Sequence, residues 1–178
     1  MNKLNLHPYF TAETIAQRVN ALGQEIAKAY DGKKLVVICV LKGSFVFTAD
    51  LVRQIDLPLR VEFIAVRSYE ETKSTGTVQI TQHLTSPVDG EDVLLVEDIV
   101  DTGITSKFLL DLMQAHNPAS LRLCSLLYKP SKMKTEVPID FLGFTIPDIF
   151  VVGYGLDHQQ LYRDLPYIGV YDVETRDS

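Results

Sequence analysis

At 178 residues, 46% hydrophobic and 22% charged, the chain can bury one sizeable core and has an ordinary globular composition. A formal net charge of −6 with no basic run argues against a nucleic-acid partner. Met1 to Phe10 has no apolar core of signal-peptide length, and the longest apolar run, Leu35 to Leu41, is far too short to span a bilayer, so a cytoplasmic protein away from membranes is expected. The two cysteines, Cys39 and Cys124, lie in apolar strand-like runs and read as buried thiols of a reducing compartment.

Thr11 to Tyr30 predicts an amphipathic helix with Ile15, Val19, Leu22 and Ile26 on one stripe and Thr11 as its cap. Leu35 to Leu41 reads as a buried strand that breaks at Lys42-Gly43-Ser44 before a helix from Phe45 to Ile55. Such a strand, small-residue turn and helix can bind an anion, so Lys42 is either a surface lysine or a positive contact for phosphate. Arg60 to Val66 and Thr77 to Thr81 alternate as strands, and the polar stretch Arg67 to Gly76 between them is a hairpin or a lid.

Val93 to Val96 predicts another buried strand, followed by the acidic turn Glu97-Asp98-Ile99-Val100-Asp101-Thr102-Gly103-Ile104-Thr105 and a helix to His116. Leu121 to Tyr128, Ile139 to Phe144, Ile149 to Val152 and Tyr167 to Tyr171 are the remaining strand-like runs. This alternation predicts an α/β fold with a mainly parallel central sheet flanked by helices, in a single domain spanning residues 1–178.

The acidic turn carries the chemistry. Gly103 lets successive N–H groups converge, Thr102 and Thr105 add hydroxyls, and the following helix offers its positive end, which together cradle a phosphate monoester. Glu97 and Asp98 would repel phosphate but suit ribose hydroxyls or a hydrated divalent cation. Asp101 lies between them as a carboxylate able to exchange a proton with a substrate. An acidic protein that binds a polyanion also needs a cation to offset the repulsion. His7, His83, His116 and His158 have no ligand-like spacing and read as bystanders.

The run from Glu97 to Thr105 resembles the phosphoribosyl-pyrophosphate (PRPP) signature of type I phosphoribosyltransferases. Further pieces follow in order: Leu41-Lys42-Gly43-Ser44-Phe45, Ser68-Tyr69 with Ser74-Thr75-Gly76, Lys129-Pro130, Ile146 to Asp157, and Arg163-Asp164-Leu165. The set resembles the hypoxanthine-guanine phosphoribosyltransferases of purine salvage from about Leu35 to the end.

That resemblance implies a core of about residues 11–128 and a small hood made from the amino-terminal segment and about residues 129–178. It implies transfer of phosphoribose from PRPP to N9 of a 6-oxopurine with Mg2+, in a homodimer or homotetramer. Leu41, Lys42, Gly43 and Ser44 would form the pyrophosphate loop, with a cis peptide between Leu41 and Lys42. Glu97 and Asp98 would meet the ribose, and Asp101 to Thr105 the 5′-phosphate, with Ile104 acting through its amide. Lys129 would reach the purine 6-oxo and N7 side, Phe150 would stack on the ring, and backbone groups of Val151 and Asp157 would face its C2 edge. Asp157, with Glu97 and Asp98, would hold magnesium, Arg163 would meet pyrophosphate, and Ser68 and Tyr69 would lie on a closing lid. Asp101 and Lys129 are the expected catalytic pair. The alternatives are a non-catalytic regulator that senses PRPP or nucleotide, and a transferase preferring xanthine.

Overall fold

Two strands that are apolar on both sides set the architecture. In β2 (Leu35–Leu41) and β5 (Asp92–Val100), Leu35, Val37, Leu94 and Val96 enter one core while Val36, Ile38, Val93 and Leu95 enter the other. Side chains alternate across a strand, so an uninterrupted apolar run is what a sheet covered on both faces requires. The computed structural model describes residues 6–69 and 77–171. One face of the sheet is covered by α1 (Ala12–Ala29) and α2 (Phe45–Val52), through Ile15, Val19, Leu22, Ile26, Phe47 and Leu51. The other is covered by α3 (Ile104–Gln114), through Leu109 and Met113.

The large sheet is completed by β3 (Leu59–Tyr69), β4 (Thr77–Gln82), β6 (Ser120–Tyr128) and β7 (Phe141–Thr145), in the order β4-β3-β2-β5-β6-β7. Every pairing in it is parallel except β3 with β4. This is the expected α/β fold with a mainly parallel sheet. A second, antiparallel sheet joins β1 (Leu6–Phe10), β9 (Ile168–Tyr171) and β8 (Val151–Val152), with Leu6 opposite Tyr171. β1 was not expected from the sequence. Its residues do not alternate in a way that signals a strand, and its partner among the described residues, β9, is more than 150 positions away.

The predicted cap of α1 is present, with the Thr14 amide donating to Thr11 Oγ1 at 3.2 Å. Two boundaries differ from expectation. α2 stops at Val52, not Ile55, where the Arg53 guanidinium donates to the Ala49 carbonyl at 2.7 Å and satisfies one of the helix's last acceptors. β5 runs on to Val100, so Glu97 and Asp98 lie in a strand and not in a turn. Pairing with β6 as far as Val100 opposite Tyr128 holds that extension.

Candidate active site

The sheet order creates a crevice where the chain changes direction. β2 and β5 are neighbours, yet the chain leaves β2 for β3 on one side and β5 for β6 on the other. Loops beyond the carboxyl ends of two such strands diverge, and ligands of open α/β sheets bind between them. A cavity of about 270 Å³ lies there, lined by Leu41, Lys42, Gly43, Glu97, Asp98, Thr105, Asp157 and Arg163 among others.

The turn after β2 is held by its own backbone. The Leu41–Lys42 peptide is cis, as expected. Ser44 is fully buried, and its hydroxyl and its amide both donate back to the Val40 carbonyl, at 2.7 and 3.4 Å, which pins the turn. A β-carbon on Gly43 would fall on the Asp98 carboxylate, and one on Gly155 would fall on the Gly43 carbonyl. Gly155 also has φ +101°, so both glycines are set by close approach and not by a generic turn.

Strand pleating separates the two adjacent acids. Glu97 faces α3, where Ser106 Oγ donates to its Oε1 at 3.2 Å, while Asp98 faces Gly43 on the α2 side. Burial, reinforced by the neighbouring Asp98 charge, pushes the Glu97 carboxyl up to about 8 despite the Ser106 hydrogen bond. Burial also lifts Asp98, to about 6. Backbone N–H groups and the Arg163 guanidinium pull it down, and Asp157 adds to the rise.

Beyond β5, Asp101 has one carboxylate oxygen, Oδ1, buried without a hydrogen-bond partner. Thr102 supplies its carbonyl to the amides of Lys134 and Thr135 at 3.0 and 3.1 Å, which backs the turn against the segment after β6. Gly103, at φ +79°, starts α3, and a β-carbon there would strike the Thr135 carbonyl. No side chain caps the start of α3; the Ile104 amide reaches Thr102 Oγ1 only at 3.5 Å. Amides at a helix start with no capping side chain are available to an anion.

Lys129, Phe150 and Val151 do not line that cavity; Lys129 is buried and its ammonium lies 3.8 Å from Asp148. Phe150 is about half exposed, Val151 is buried in β8, and His158 sits edge-on to the Phe150 ring at 5.5 Å. Asp157 pairs with Arg163 Nη2 at 2.6 Å, and its other oxygen accepts the Gln160 amide at 2.8 Å. Lys42 reaches Gln160 Oε1 at 3.4 Å. Ser68 and Tyr69 end β3, opposite Val78 and Thr77 of β4; Ser74, Thr75 and Gly76 lie outside the described residues.

Residues 8–159 match the phosphoribosyl transferase domain family. The chain belongs to the phosphoribosyltransferase family. It is 47% identical over 165 residues to the hypoxanthine-guanine phosphoribosyltransferase of Dictyostelium discoideum, covering 90% of this chain and 92% of that one. Identity to the hypoxanthine phosphoribosyltransferase of Haemophilus influenzae is 44% over 178 residues, covering 98% and 99%. A crystal structure of a hypoxanthine phosphoribosyltransferase from Staphylococcus aureus superposes with a TM-score of 0.91 at 43% identity, covering 98% of this chain and 95% of that one.

Magnesium is the metal implied for a phosphoribosyltransferase, and the donors present suit it. They are carboxylate oxygens only, those of Glu97, Asp98 and Asp157 on the cavity wall. Among the described residues no three metal-ligating side chains converge into a cage. Magnesium is usually held by one or two carboxylates with water and substrate oxygens, which fits that sparse set.

Sequence reasoning set aside or passed over several residues at this phosphoribosyltransferase site. His158 was read as a bystander, yet it flanks Phe150. Gln160 and Tyr162 take left-handed backbone conformations (φ +65° and +73°) beside Arg163, which no residue type there signals. Asp50 and Tyr154 meet across 104 positions in sequence, too far for any local pattern to show.

Proposed function

We propose that the protein transfers the 5-phosphoribosyl group of PRPP to N9 of hypoxanthine, guanine or both, releasing pyrophosphate and forming IMP or GMP in purine salvage. One observation carries this reading: in a chain nearly half identical to enzymes so named, the acidic end of β5 and the uncapped start of α3 open on one crevice. A diol binder and a phosphate binder side by side suit a sugar phosphate.

In this reading the α3 amides with Thr102, Gly103 and Thr105 bind the 5′-phosphate, and Glu97 and Asp98 accept hydrogen bonds from the ribose hydroxyls. The amides of Lys42 and Gly43, together with Arg163, take the pyrophosphate, while the Ser44 amide is turned back to the Val40 carbonyl and holds the turn. Asp157, with Glu97 and Asp98, would hold magnesium, which when bound would supply positive charge to the pyrophosphate. The purine stacks on Phe150, whose half-exposed ring has a face to offer. Val151 and Asp157 backbone groups meet its C2 edge.

As N9 bonds to the anomeric carbon, the C–O bond to pyrophosphate breaks and the sugar becomes oxocarbenium-like. Asp101 takes the purine proton through N7, which its unpartnered buried oxygen supports. Lys129, nearly buried, donates to the 6-oxo group; an ammonium donor suits a carbonyl and not an exocyclic amine. Ser68 and Tyr69 belong to a lid over the sugar.

A cytoplasmic homodimer or homotetramer is part of the same proposal. Phe45 and Phe63 are each 43% exposed beside Leu41, an apolar patch of the kind a second copy covers. No described helix is long and apolar enough to cross a membrane. The test is nucleotide formation from PRPP and Mg2+ with hypoxanthine, guanine and xanthine in turn. Failure with all three bases would refute the proposal, and xanthine alone would correct its substrate.

A further inference from the structure

The loop that carries Asp157 and the turn that carries Lys42 approach through two bare backbones, Gly155 against the Gly43 carbonyl. Glycine contacts fix how near two segments can come but do not hold them there. A hydrogen bond just behind that contact does. The Tyr154 hydroxyl donates to Asp50 Oδ2 at 2.8 Å, joining the residue before Gly155 to α2, the helix that grows directly from the Lys42 turn. The Tyr154 ring is 6% exposed and its backbone is in the left-handed region (φ +51°), so the phenol has little freedom to point elsewhere. Its amide donates to the Leu165 carbonyl at 2.8 Å, which anchors the other side of the loop. Burial and the facing carboxylate push the phenol well above the usual tyrosine range, keeping it protonated as the donor. Asp50 is half exposed and also pairs with Arg53 at 3.1 Å.

We infer that Tyr154 and Asp50 are positioning residues that latch the Asp157–Arg163 side of the site to the pyrophosphate turn, fixing the width of the slot that receives PRPP. This rests on the proposed transferase activity. Neither side chain touches substrate in this scheme; both act through Gly155, Asp157 and the 41–44 turn. Loss of the latch lets the two walls drift, and misplacement on the ångström scale weakens both pyrophosphate binding and its departure.

Tyr154→Phe keeps the ring and removes only the hydroxyl. It is expected to lower kcat/KM for PRPP about ten-fold, mainly through KM, the size of one hydrogen bond to a charged acceptor. Asp50→Ala should reproduce that loss, the double variant should be no worse than either single one, and Asp50→Asn, which keeps an acceptor, should stay within about three-fold of wild type. Asp50→Ala, at a half-exposed position, carries the test should Tyr154→Phe fail to fold. Unchanged PRPP kinetics in folded variants, additive losses in the double variant, or an Asp50→Asn variant as poor as Asp50→Ala would each overturn the latch. Wild-type protein that makes no nucleotide would instead refute the transferase reading itself.

Discussion

Glu97→Gln should stabilise the free protein while disabling it. The Glu97 side chain is 5% exposed, receives one hydrogen bond, from Ser106 at 3.2 Å, and has the Asp98 carboxylate as its neighbour. Its folded pKa of about 8 lies above the model-peptide value of 4.5, so the folded state binds more protons than the unfolded one between those limits. The stability linked to that proton is therefore complete below pH 4.5 and is lost as pH rises through about 8. At about 1.36 kcal/mol per pH unit, the span from 4.5 to about 8 sets a ceiling near 5 kcal/mol. Entry of water and rotation of Ser106 reduce the expected loss to about 2 kcal/mol, or roughly 4–8 °C in Tm for a chain of this size. Glutamine keeps an acceptor for Ser106 and has no proton to lose. Thermal unfolding of wild type and variant at pH 5 and pH 9, without ligand, should give curves that diverge upward in pH with the variant the more stable. Parallel curves, or a variant that falls behind at pH 9, would refute the burial argument.

Asp101→Asn should retain PRPP binding, measured by calorimetry, while single-turnover nucleotide formation drops by about 10²–10⁴; near-normal turnover removes Asp101 from the chemistry. Gly43→Ala, whose new methyl would occupy the position of the Asp98 carboxylate, should cut kcat/KM for PRPP by about 10², and an unimpaired enzyme would show that the close approach is not needed. Asp92 is held below the usual carboxylate range by the Lys33 ammonium at 2.7 Å and then by Ser120. Its contribution is present above the ordinary carboxylate pKa and fades as pH falls below it. Asp92→Asn should thus cost about 1 kcal/mol by urea denaturation at pH 7 and progressively less as pH falls below the ordinary carboxylate pKa; a cost independent of pH would contradict the pairing.

Much of the large sheet was legible because β2, β5 and β6 carry apolar runs, β3 and β4 alternate, and amphipathic helices follow β2 and β5; β2 and α1 show this within a residue at each end. The candidate site was marked in the sequence by the acidic run of β5 and by Gly103, and the structure sets Glu97, Asp98 and Thr105 on one cavity at the carboxyl edge of the sheet. Geometry between distant segments was hidden. Nothing in Glu97-Asp98 says that the strand continues through them and turns one acid toward Ser106 and the other toward Gly43. Gly43 and Gly155 look like ordinary turn glycines until each is seen to abut a specific atom of another segment. β1 was missed for the same reason, since its hydrogen bonds go to β9 and local pattern cannot report them.

The pairing of β1 with β9 has a consequence for synthesis. A chain emerging amino-terminus first exposes Leu6–Phe10 long before the strand that receives it, Ile168–Tyr171, is made. Until then that leading segment has no hydrogen-bonding mate. The large sheet can assemble around β2 and β5 beforehand, but the antiparallel sheet of β1, β9 and β8 closes only once Ile168–Tyr171 has emerged. A chain truncated near residue 165, which keeps the large sheet and lacks β9, should therefore hold a protease-resistant core with a cleavable leading end.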